Sequence, residues 1–328
     1  MHYRSVADLN RTIHDNLFRL PRDIDLVVGI PRSGLLAANI VSLALNLPLA
    51  DLDGFVAGRV LAMGKTRRQD APDLSAAAYR RVLVVDDSIL SGGSMREAQA
   101  RLAPLATPGR FFYCAVYGPE TDPVGVDLVM ERVPSPRIFQ WNIMHHKVLG
   151  RACFDIDGVL CFDPTAKEND DGEGYVRFLE TARPLLIPGQ RIAHLVTSRM
   201  ERYRPQTEAW LAANNIQYGR LWMLDLPSAA ERRRQGAHGG FKAEVYRSLP
   251  EATIFVESEE AQAIEIARLS GKPVLSIESH SVVYPDSHLD FRERARRRLA
   301  RLRDRQSVER SGVIRTARRV LRRLTGRR

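Results

Sequence analysis

Two adjacent aspartates, Asp86 and Asp87, are the first residues of this 328-residue chain whose types and spacing suggest chemistry. They directly follow four apolar residues, Val82 to Val85, a run that is typical of a buried parallel strand. Open α/β sheets bind their ligands where such strands end. Paired acids at that position suit the hydroxyls of a sugar, or a Mg²⁺ ion chelated to them, with Asp87 as the candidate metal ligand.

A loop of small residues follows the acid pair and opens the helical pattern of Met95 to Leu102. Glycines let backbone N–H groups approach an anion closely, hydroxyls add donors, and the start of a helix adds a positive dipole. The sequence therefore predicts that this loop binds a monophosphate. Its residues are Ser91, Gly92, Gly93 and Ser94.

The whole stretch from Val82 to Ser94 resembles the phosphoribosyl-pyrophosphate (PRPP) binding signature of type I phosphoribosyltransferases. Four apolar residues, two acids, three variable residues and a Ser/Thr-Gly-x-Ser/Thr loop occur in the same order. The resemblance implies that Asp86 and Asp87 hold the ribose 2- and 3-hydroxyls, and that the loop holds the 5-phosphate. The alternative is an ordinary strand–loop–helix turn of a doubly wound sheet with acids at its tip.

A second anion-binding loop is predicted one strand earlier, at Arg32 and Ser33. The preceding residues, 25–30, are typical of a buried strand, and Leu35 to Leu45 predicts an apolar helix. The Arg32 guanidinium suits paired phosphate oxygens. The loop resembles the pyrophosphate-binding loop of the same family, although taken alone it is explained as well by a purely structural turn.

The sequence loses its periodicity from Asp53 to Tyr79, where Lys65, Arg67 and Arg68 form a basic cluster. Such a stretch predicts a mobile loop. In the resembling family a flexible loop closes over PRPP and brings a cation to the departing pyrophosphate, which would make Lys65 and Arg67 catalytic. The alternative is a solvated basic loop without a catalytic part.

An aromatic segment at 137–146 ends the first predicted domain, after two further strands at 110–117 and 126–130. Its Trp141 would either stack on an acceptor base or pack within the fold. Packing is favoured, because a lone tryptophan usually belongs to the core.

A second acid pair, Asp155 and Asp157, stands at the end of another short apolar strand and before Gly158. Residues i and i+2 of a strand point to the same side, so the two carboxylates could share one Mg²⁺ ion. One carboxylate can attack phosphorus while the other protonates the leaving oxygen. The stretch resembles the first motif of the haloacid-dehalogenase superfamily, which implies that Asp155 is the nucleophile and Asp157 the general acid/base.

The remaining motifs of that superfamily are found in the expected order. By resemblance, Thr197 with Ser198 would hold the phosphate, and Lys242, placed before a helix, would neutralise it. Glu257, with Glu259 or Glu260, would serve the metal where the superfamily usually has aspartates. Residues 272–277 predict the final strand, and residues 161–190 leave room for a small cap. Three arginines after Thr197 would contact a substrate or form the solvated face of a helix: Arg199, Arg202 and Arg204.

The net charge of +10 belongs to the end of the chain. Residues 291–328 contain 16 arginines and three acidic residues, so the rest of the chain carries a net charge of −3. Apolar residues at helical spacing predict a basic amphipathic helix there, which would contact an anionic membrane surface, RNA, an acidic protein or nothing.

Three cysteines without disulfide-like or zinc-like spacing, and the lack of an apolar leader or span, favour a cytoplasmic protein, with the inner membrane face as a candidate contact.

These patterns predict two doubly wound α/β domains, at 1–148 and 149–285, followed by the tail at 286–328. The two resemblances imply a bifunctional, Mg²⁺-dependent enzyme: a nucleotide acceptor such as CTP displaces pyrophosphate from PRPP, and the second domain removes the 5-phosphate. Similar fusions make activated ribofuranose donors for bacterial surface polysaccharides. The rivals are a base-salvage transferase with a fused phosphatase, and a PRPP-sensing regulator that turns nothing over and contacts RNA. A homodimer is expected from the resemblance, and no specific nucleic-acid partner is expected.

Overall fold

The computed structural model describes residues 1–61, 75–121, 123–169, 171–226 and 237–286. The chain divides into two compact units, Met1–His146 and Lys147–Arg328. Two groups of predictions lie outside the described residues. They are the basic cluster at Lys65, Arg67 and Arg68, and the predicted tail from residue 287 onward.

The described part of the first unit contains seven strands and four α-helices. The strands are β1 His2–Arg4, β2 Leu26–Gly29, β3 Leu49–Asp51, β4 Val82–Ser88, β5 Phe111–Gly118, β6 Leu128–Arg132 and β7 Arg137–Phe139. The helices are α1 Val6–Asn16, α2 Ser33–Leu45, α3 Leu52–Val56 and α4 Gly93–Leu102. A five-stranded parallel sheet has the order β3-β2-β4-β5-β6, and β1 pairs separately with β7.

Alternate residues of β4 belong to two hydrophobic cores, one on each face of the sheet. Leu83 and Val85 pack with α1 and α2, whereas Val82 and Val84 pack with α3 and α4. Because helices cover both faces, every apolar position of the strand is buried, and the sequence shows a continuous apolar run rather than an alternating one. The predicted strand and its parallel pairing are confirmed.

The segment from Asp53 to Tyr79, predicted as a loop, in fact begins inside α3. The Asp51 carboxylate accepts the Gly54 N–H at 2.7 Å and so caps this helix. A helix of five residues is too short to produce a recognisable apolar period, which is why periodicity did not indicate it.

The second unit contains a six-stranded sheet. Its strands are β8 Ala152–Phe154, β9 Ile192–Met200, β10 Tyr218–Leu224, β11 Ile254–Glu257, β12 Val274–Ser276 and β13 Ser281–Val283. They have the order β10-β9-β8-β11-β12-β13 and are parallel except for β13. The prediction that 272–277 is the final strand is therefore wrong, because a three-residue strand follows it and pairs antiparallel with β12. The predicted class of two α/β units built on parallel sheets is confirmed.

The helices of this unit within the described residues are α5 Glu173–Thr181, α6 Arg204–Ala213, α7 Ala237–Ser248 and α8 Glu260–Ser270. Lys242, predicted to precede a helix, lies inside α7. Gly239 and Gly240 are also helical. A Cβ at Gly239 would overlap the Glu265 carboxylate of α8, so this glycine allows two helices to approach closely.

The expectations about the cysteines and about membrane-spanning segments can be compared with the described residues. Cys114, Cys153 and Cys161 are all buried and free. Within the described ranges, no helix combines the length and apolar character that crossing a membrane requires.

Substitution of Gly34 tests how closely the start of α2 packs against β4. A Cβ there would lie 2.8 Å from the Val85 carbonyl oxygen and 3.0 Å from Asp86 Oδ1. Because backbone must move to relieve the first contact, we expect Gly34→Ala to lower the free energy of unfolding by about 1–3 kcal/mol in urea titrations followed by circular dichroism.

Gly240→Ala is the matched control for this test. It is also a helical glycine, but no atom lies within 4 Å of a Cβ built there. Its substitution should leave stability unchanged or raise it by up to about 1 kcal/mol. Equal unfolding midpoints for Gly34→Ala and the wild type would contradict the close approach.

Candidate functional site

The carboxyl ends of β2 and β4 mark the place where the first sheet changes direction. β3 lies on one side of this pair of strands and β5 on the other, and the connecting helices α2 and α4 pack on opposite faces. The loops that leave β2 and β4 therefore diverge, and the crevice between such loops is where open α/β sheets bind ligands. The structure brings the two predicted anion loops together at this crevice.

Asp86 and Asp87 lie at the end of β4 with 7% and 3% of their surface exposed. The backbone N–H of Asp87 donates to Asp86 Oδ1 at 2.9 Å. Burial, and then the adjacent Asp87 charge, raises the pKa of Asp86 to about 8. Asp86 therefore holds a proton at neutral pH and can donate a hydrogen bond as well as accept one.

The predicted phosphate loop has the backbone geometry of an anion site. Gly92 has a φ of 77°, a left-handed conformation that favours glycine, and α4 begins at the next residue. Arg96 Nη1 donates to the Ser91 carbonyl at 2.8 Å and ties the loop to the helix. Ser91, Gly93 and Ser94 are exposed beside the first turn, whose N–H groups lack acceptors within the helix. This arrangement suits a phosphate.

The loop after β2 places Arg32 and Ser33 at the start of α2, with Arg32 exposed and Ser33 half-buried. The peptide bond between Pro31 and Arg32 is cis. Since Gly34 contacts the backbone of Val85 and Asp86, this loop lies directly beside the acid pair. An exposed guanidinium at this point is available to paired phosphate oxygens.

Trp141 packs within the fold, as the sequence favoured, and it also contacts the acid pair. Its ring stacks on Phe139 with 4.9 Å between centroids, and its indole Nε1–H donates to Asp87 Oδ2 at 2.8 Å. The two partners are 54 residues apart in sequence, so no local pattern could have indicated this bond.

In the second unit, the structure brings Asp155, Lys242 and Glu257 together at the ends of the adjacent strands β8 and β11. Lys242 Nζ donates to Asp155 Oδ2 at 2.6 Å, to Glu257 Oε2 at 2.8 Å and to Gln262 Oε1 at 3.0 Å. Burial alone would lower the pKa of Lys242, but the two carboxylates outweigh it and raise that pKa. Burial also raises the pKa of Asp155, to about 7, although Lys242 opposes the rise.

Asp157 has a separate cationic partner. Arg199 Nη2 donates to Asp157 Oδ1 at 2.7 Å, and Arg199 Nε donates to Oδ2 at 3.1 Å. Burial acts to raise the pKa of Asp157, but the guanidinium outweighs burial and holds this pKa below its ordinary value. The Arg199 side chain is 0% exposed and belongs to β9, so this arginine is neither on a solvated helix face nor open to a substrate.

The expected sharing of one ion by Asp155 and Asp157 does not follow from the backbone. β8 ends at Phe154, so neither aspartate belongs to the strand, and Gly158 turns the chain with a φ of 71°. The two-residue alternation of a strand therefore does not apply here. Each carboxylate instead pairs with a different cation.

Thr197 and Ser198 are buried near the end of β9, which lies beside β8. Thr197 Oγ1 accepts the Arg199 N–H at 3.2 Å, at the same edge of the sheet as Asp155. The other two arginines behave as the solvated face of a helix. Arg202 pairs with Asp171, and Arg204 pairs with Glu208 at 3.0 Å.

The two units differ in how well they fit Mg²⁺. Asp86 and Asp87 offer carboxylate oxygens beside a predicted phosphate loop, a donor type that Mg²⁺ shares readily with substrate phosphates. In the second unit both oxygens of Asp157 accept from Arg199, and Lys242 bridges Asp155 and Glu257. The predicted ligand set there does not fit a shared ion. Throughout the described part of the chain, no three His, Cys, Asp or Glu residues are grouped to hold a metal.

Asp163 is a residue of this second site that the sequence analysis missed. Its Oδ2 would lie 2.9 Å from a Cβ at Gly158. Burial raises its pKa, and the neighbouring charges of Asp157, Glu259 and Glu257 raise it further. No spacing signal marks Asp163, because it follows an irregular turn rather than a strand.

Comparison with known proteins matches part of the chain. Residues 2–105, which contain both loops of the first crevice, match the family model described as "Phosphoribosyl transferase domain". A search of curated proteins found no match.

Solved structures similar to this chain include three that cover 43% of it. A purine phosphoribosyltransferase from Pyrococcus horikoshii is 20% identical over 92% of its own length, with a TM-score of 0.31. A Helicobacter pylori xanthine-guanine-hypoxanthine phosphoribosyltransferase is 16% identical over 93%, with a TM-score of 0.33. A hypothetical protein from Neisseria gonorrhoeae with bound ppGpp is 14% identical over 89%, with a TM-score of 0.30.

The raised pKa of Asp86 predicts a pH-dependent stability. The folded protein keeps a proton on Asp86 up to about pH 8, whereas the unfolded chain loses it near 3.8. The contribution of Asp86 to stability therefore falls as the pH rises through this window. In magnesium-free buffer, the free energy of unfolding of Asp86→Asn relative to that of the wild type should rise as the pH is raised from 5 to 8. Above pH 8 this difference should change little. Urea unfolding across this pH range measures the difference, and parallel profiles for the two proteins would contradict the assignment.

Proposed function

We propose that the phosphoribosyl transferase domain of residues 2–105 transfers a phosphoribosyl group from PRPP to an acceptor. The observation that carries this proposal is the convergence of three binding elements at one crevice. The acid pair suits ribose hydroxyls, the loop at Ser91 to Ser94 suits a monophosphate, and the loop at Arg32 suits a pyrophosphate. These are the three polar parts of PRPP.

In the proposed reaction, the acceptor displaces pyrophosphate at C1 of the ribose through an oxocarbenium-like state. Asp86, protonated before binding, donates to one ribose hydroxyl while Asp87 accepts from the other. The amides at the start of α4 hold the 5-phosphate, which fixes C1 relative to the acceptor. Arg32 neutralises the charge that develops on the pyrophosphate as the bond from C1 to oxygen breaks. Mg²⁺, when bound, would add to this neutralisation.

The acceptor that we propose first is a nucleotide, CTP. The product would then carry a 5-phosphate, and its removal would give an activated ribofuranose donor for a surface polysaccharide. A free base is the salvage alternative, and the two alternatives are separated by their products. A second unit that hydrolyses the 5-phosphate would remove the product of the transfer and so shift the transfer equilibrium toward ribosylated acceptor. Such coupling favours the nucleotide proposal.

We propose that the second unit removes this phosphate at Asp155. The observation in favour is the contact of 2.6 Å between Asp155 and Lys242, which places a cation beside the attacking carboxylate. An acid/base role for Asp157 requires one of its oxygens to leave Arg199. If that pair stays closed, the unit binds a phosphorylated ligand without turnover, which corresponds to the regulatory alternative.

Release of pyrophosphate from PRPP tests the first proposal. The wild type should release it with one acceptor among CTP, orotate and purine bases, and mass spectrometry should identify the ribosylated product. Asp87→Asn should lower kcat/KM for PRPP by about 10- to 100-fold, because hydrogen bonds to a charged carboxylate contribute about 1.5–3 kcal/mol. Asp53→Asn, an exposed aspartate paired with Arg101, is the control and should match the wild type. Absence of release with every acceptor, from a protein that binds PRPP, would favour the regulator.

Asp155→Asn tests the second step separately. The variant keeps the size of the side chain but cannot attack phosphorus, so the 5-phosphorylated product should accumulate while pyrophosphate release continues. Mass spectrometry of the reaction mixture measures both. Asp225→Asn, an exposed aspartate of the same unit, is the control and should give the final product at the normal rate. If Asp155→Asn also forms dephosphorylated product at that rate, the second unit is not a phosphatase that uses Asp155.

A further inference from the structure

Residues 137–141, which we call the β7 segment, contact the carboxyl end of β4 and the residue that follows it. Trp141 Nε1 donates to Asp87 Oδ2, in β4, at 2.8 Å. Arg137 Nη2 donates to the carbonyl of Ile89, the first residue after β4. Both donors lie outside residues 2–105, the part of the chain that matches the transferase family model, whereas both acceptors lie inside it.

The two contacts fix the residues on either side of Ser88, at the end of β4. Arg137 is buried and is itself fixed, because its Nη1 donates to the Val133 carbonyl at 3.3 Å and its guanidinium lies 5.8 Å from the centre of the Phe139 ring. Asp87 is 3% exposed, so its hydrogen bond to the indole forms away from water. A charged acceptor in such surroundings binds its donor more strongly than an exposed one does.

An aromatic stack fixes the orientation of the indole. The Trp141 and Phe139 ring centroids are 4.9 Å apart and those of Phe139 and Tyr117 are 5.4 Å apart, with interplanar angles of 15° and 20°. Tyr117 and Trp141 are also in contact, with 6.3 Å between centroids and an interplanar angle of 19°. Tyr117 is fully buried on β5, the strand that pairs with β4. The stack therefore connects the indole to the same sheet that carries Asp87, which holds donor and acceptor in one rigid frame.

We propose that Trp141 is a positioning residue for PRPP and acts through Asp87, an inference that rests on the proposed transferase function. The terminal torsion of an aspartate side chain is broad and sets where its oxygens point. By holding Oδ2, the indole fixes the rotation of the carboxylate and so the direction in which Oδ1 faces, and the group is oriented before the substrate arrives. Preorganisation of this kind improves substrate affinity because binding no longer has to order the side chain.

Trp141→Phe is the direct test, because phenylalanine keeps an aromatic ring on Phe139 but has no N–H. We expect KM for PRPP to rise about tenfold, with kcat within about twofold of the wild type. The urea midpoint should fall, because the buried Asp87 carboxylate loses its indole donor. Trp210→Phe is the matched control. It also removes an indole donor, which binds the Ala182 carbonyl at 2.7 Å in the second unit, and it should leave pyrophosphate release unchanged.

A double-mutant cycle shows whether Trp141 acts through Asp87. In an Asp87→Ala background, Trp141→Phe should change kcat/KM for PRPP by less than about twofold, because the carboxylate that it orients is gone. A tenfold loss in both backgrounds would mean that the indole contacts a substrate directly, and would overturn the proposal. An unchanged KM in Trp141→Phe, with normal turnover of PRPP by the wild type, would overturn this inference alone. A wild type that neither binds PRPP nor releases pyrophosphate would overturn the transferase function as well.

Fluorescence gives a readout that is independent of turnover. The chain has three tryptophans, so Trp210→Phe combined with Trp222→Phe leaves Trp141 as the sole indole. Its emission should shift on addition of PRPP, since its hydrogen-bond partner takes up the ligand. The shift should be absent in the same background with Asp87→Ala. An emission spectrum that does not change at saturating PRPP would contradict the proposal.

Discussion

Both candidate sites depend on one constraint: a carboxylate buried at the end of a parallel strand must find its hydrogen-bond donors inside the fold. An unpartnered charge in such a place costs several kcal/mol, so the surrounding structure has to supply a donor or a counter-charge, or the carboxylate has to keep its proton. The buried strands determine the positions of these carboxylates, and their hydrogen-bond donors determine which ligands the carboxylates can bind.

The two units meet the constraint in different ways. In the first, burial and the neighbouring Asp87 raise the pKa of Asp86, and Asp87 accepts from the Trp141 indole. An indole donates a hydrogen bond but adds no positive charge, so it does not compensate the carboxylate as an ion pair would. In the second, Lys242 and Arg199 already neutralise the acids. The carboxylate oxygens that a divalent ion would need are therefore already bound to cationic side chains, which is why the fit to a divalent metal differs between the two sites.

The parts of the site that could be predicted are the ones encoded by neighbouring residues. The strand at Val82 to Val85, the acid pair after it and the glycine turn at Gly92 occur in one contiguous stretch, where local sterics decide the backbone. The unpredicted parts join distant residues. Trp141 meets Asp87 across 54 positions, and Arg199 meets Asp157 across 42. Contacts of this kind depend on how whole elements pack, and no periodicity reports them. The placement of Lys242 within α7 was missed for a related reason, because the nearby Gly239 lies within the helix, against Glu265 of α8, instead of ending it.

If the crevice between β2 and β4 binds PRPP, titration calorimetry of the full chain with PRPP and Mg²⁺ should show saturable binding with one PRPP per chain. Free pyrophosphate should compete with PRPP, because it would occupy the loop at Arg32. Absence of binding heat up to millimolar PRPP, or binding that pyrophosphate does not displace, would contradict binding of PRPP at this crevice.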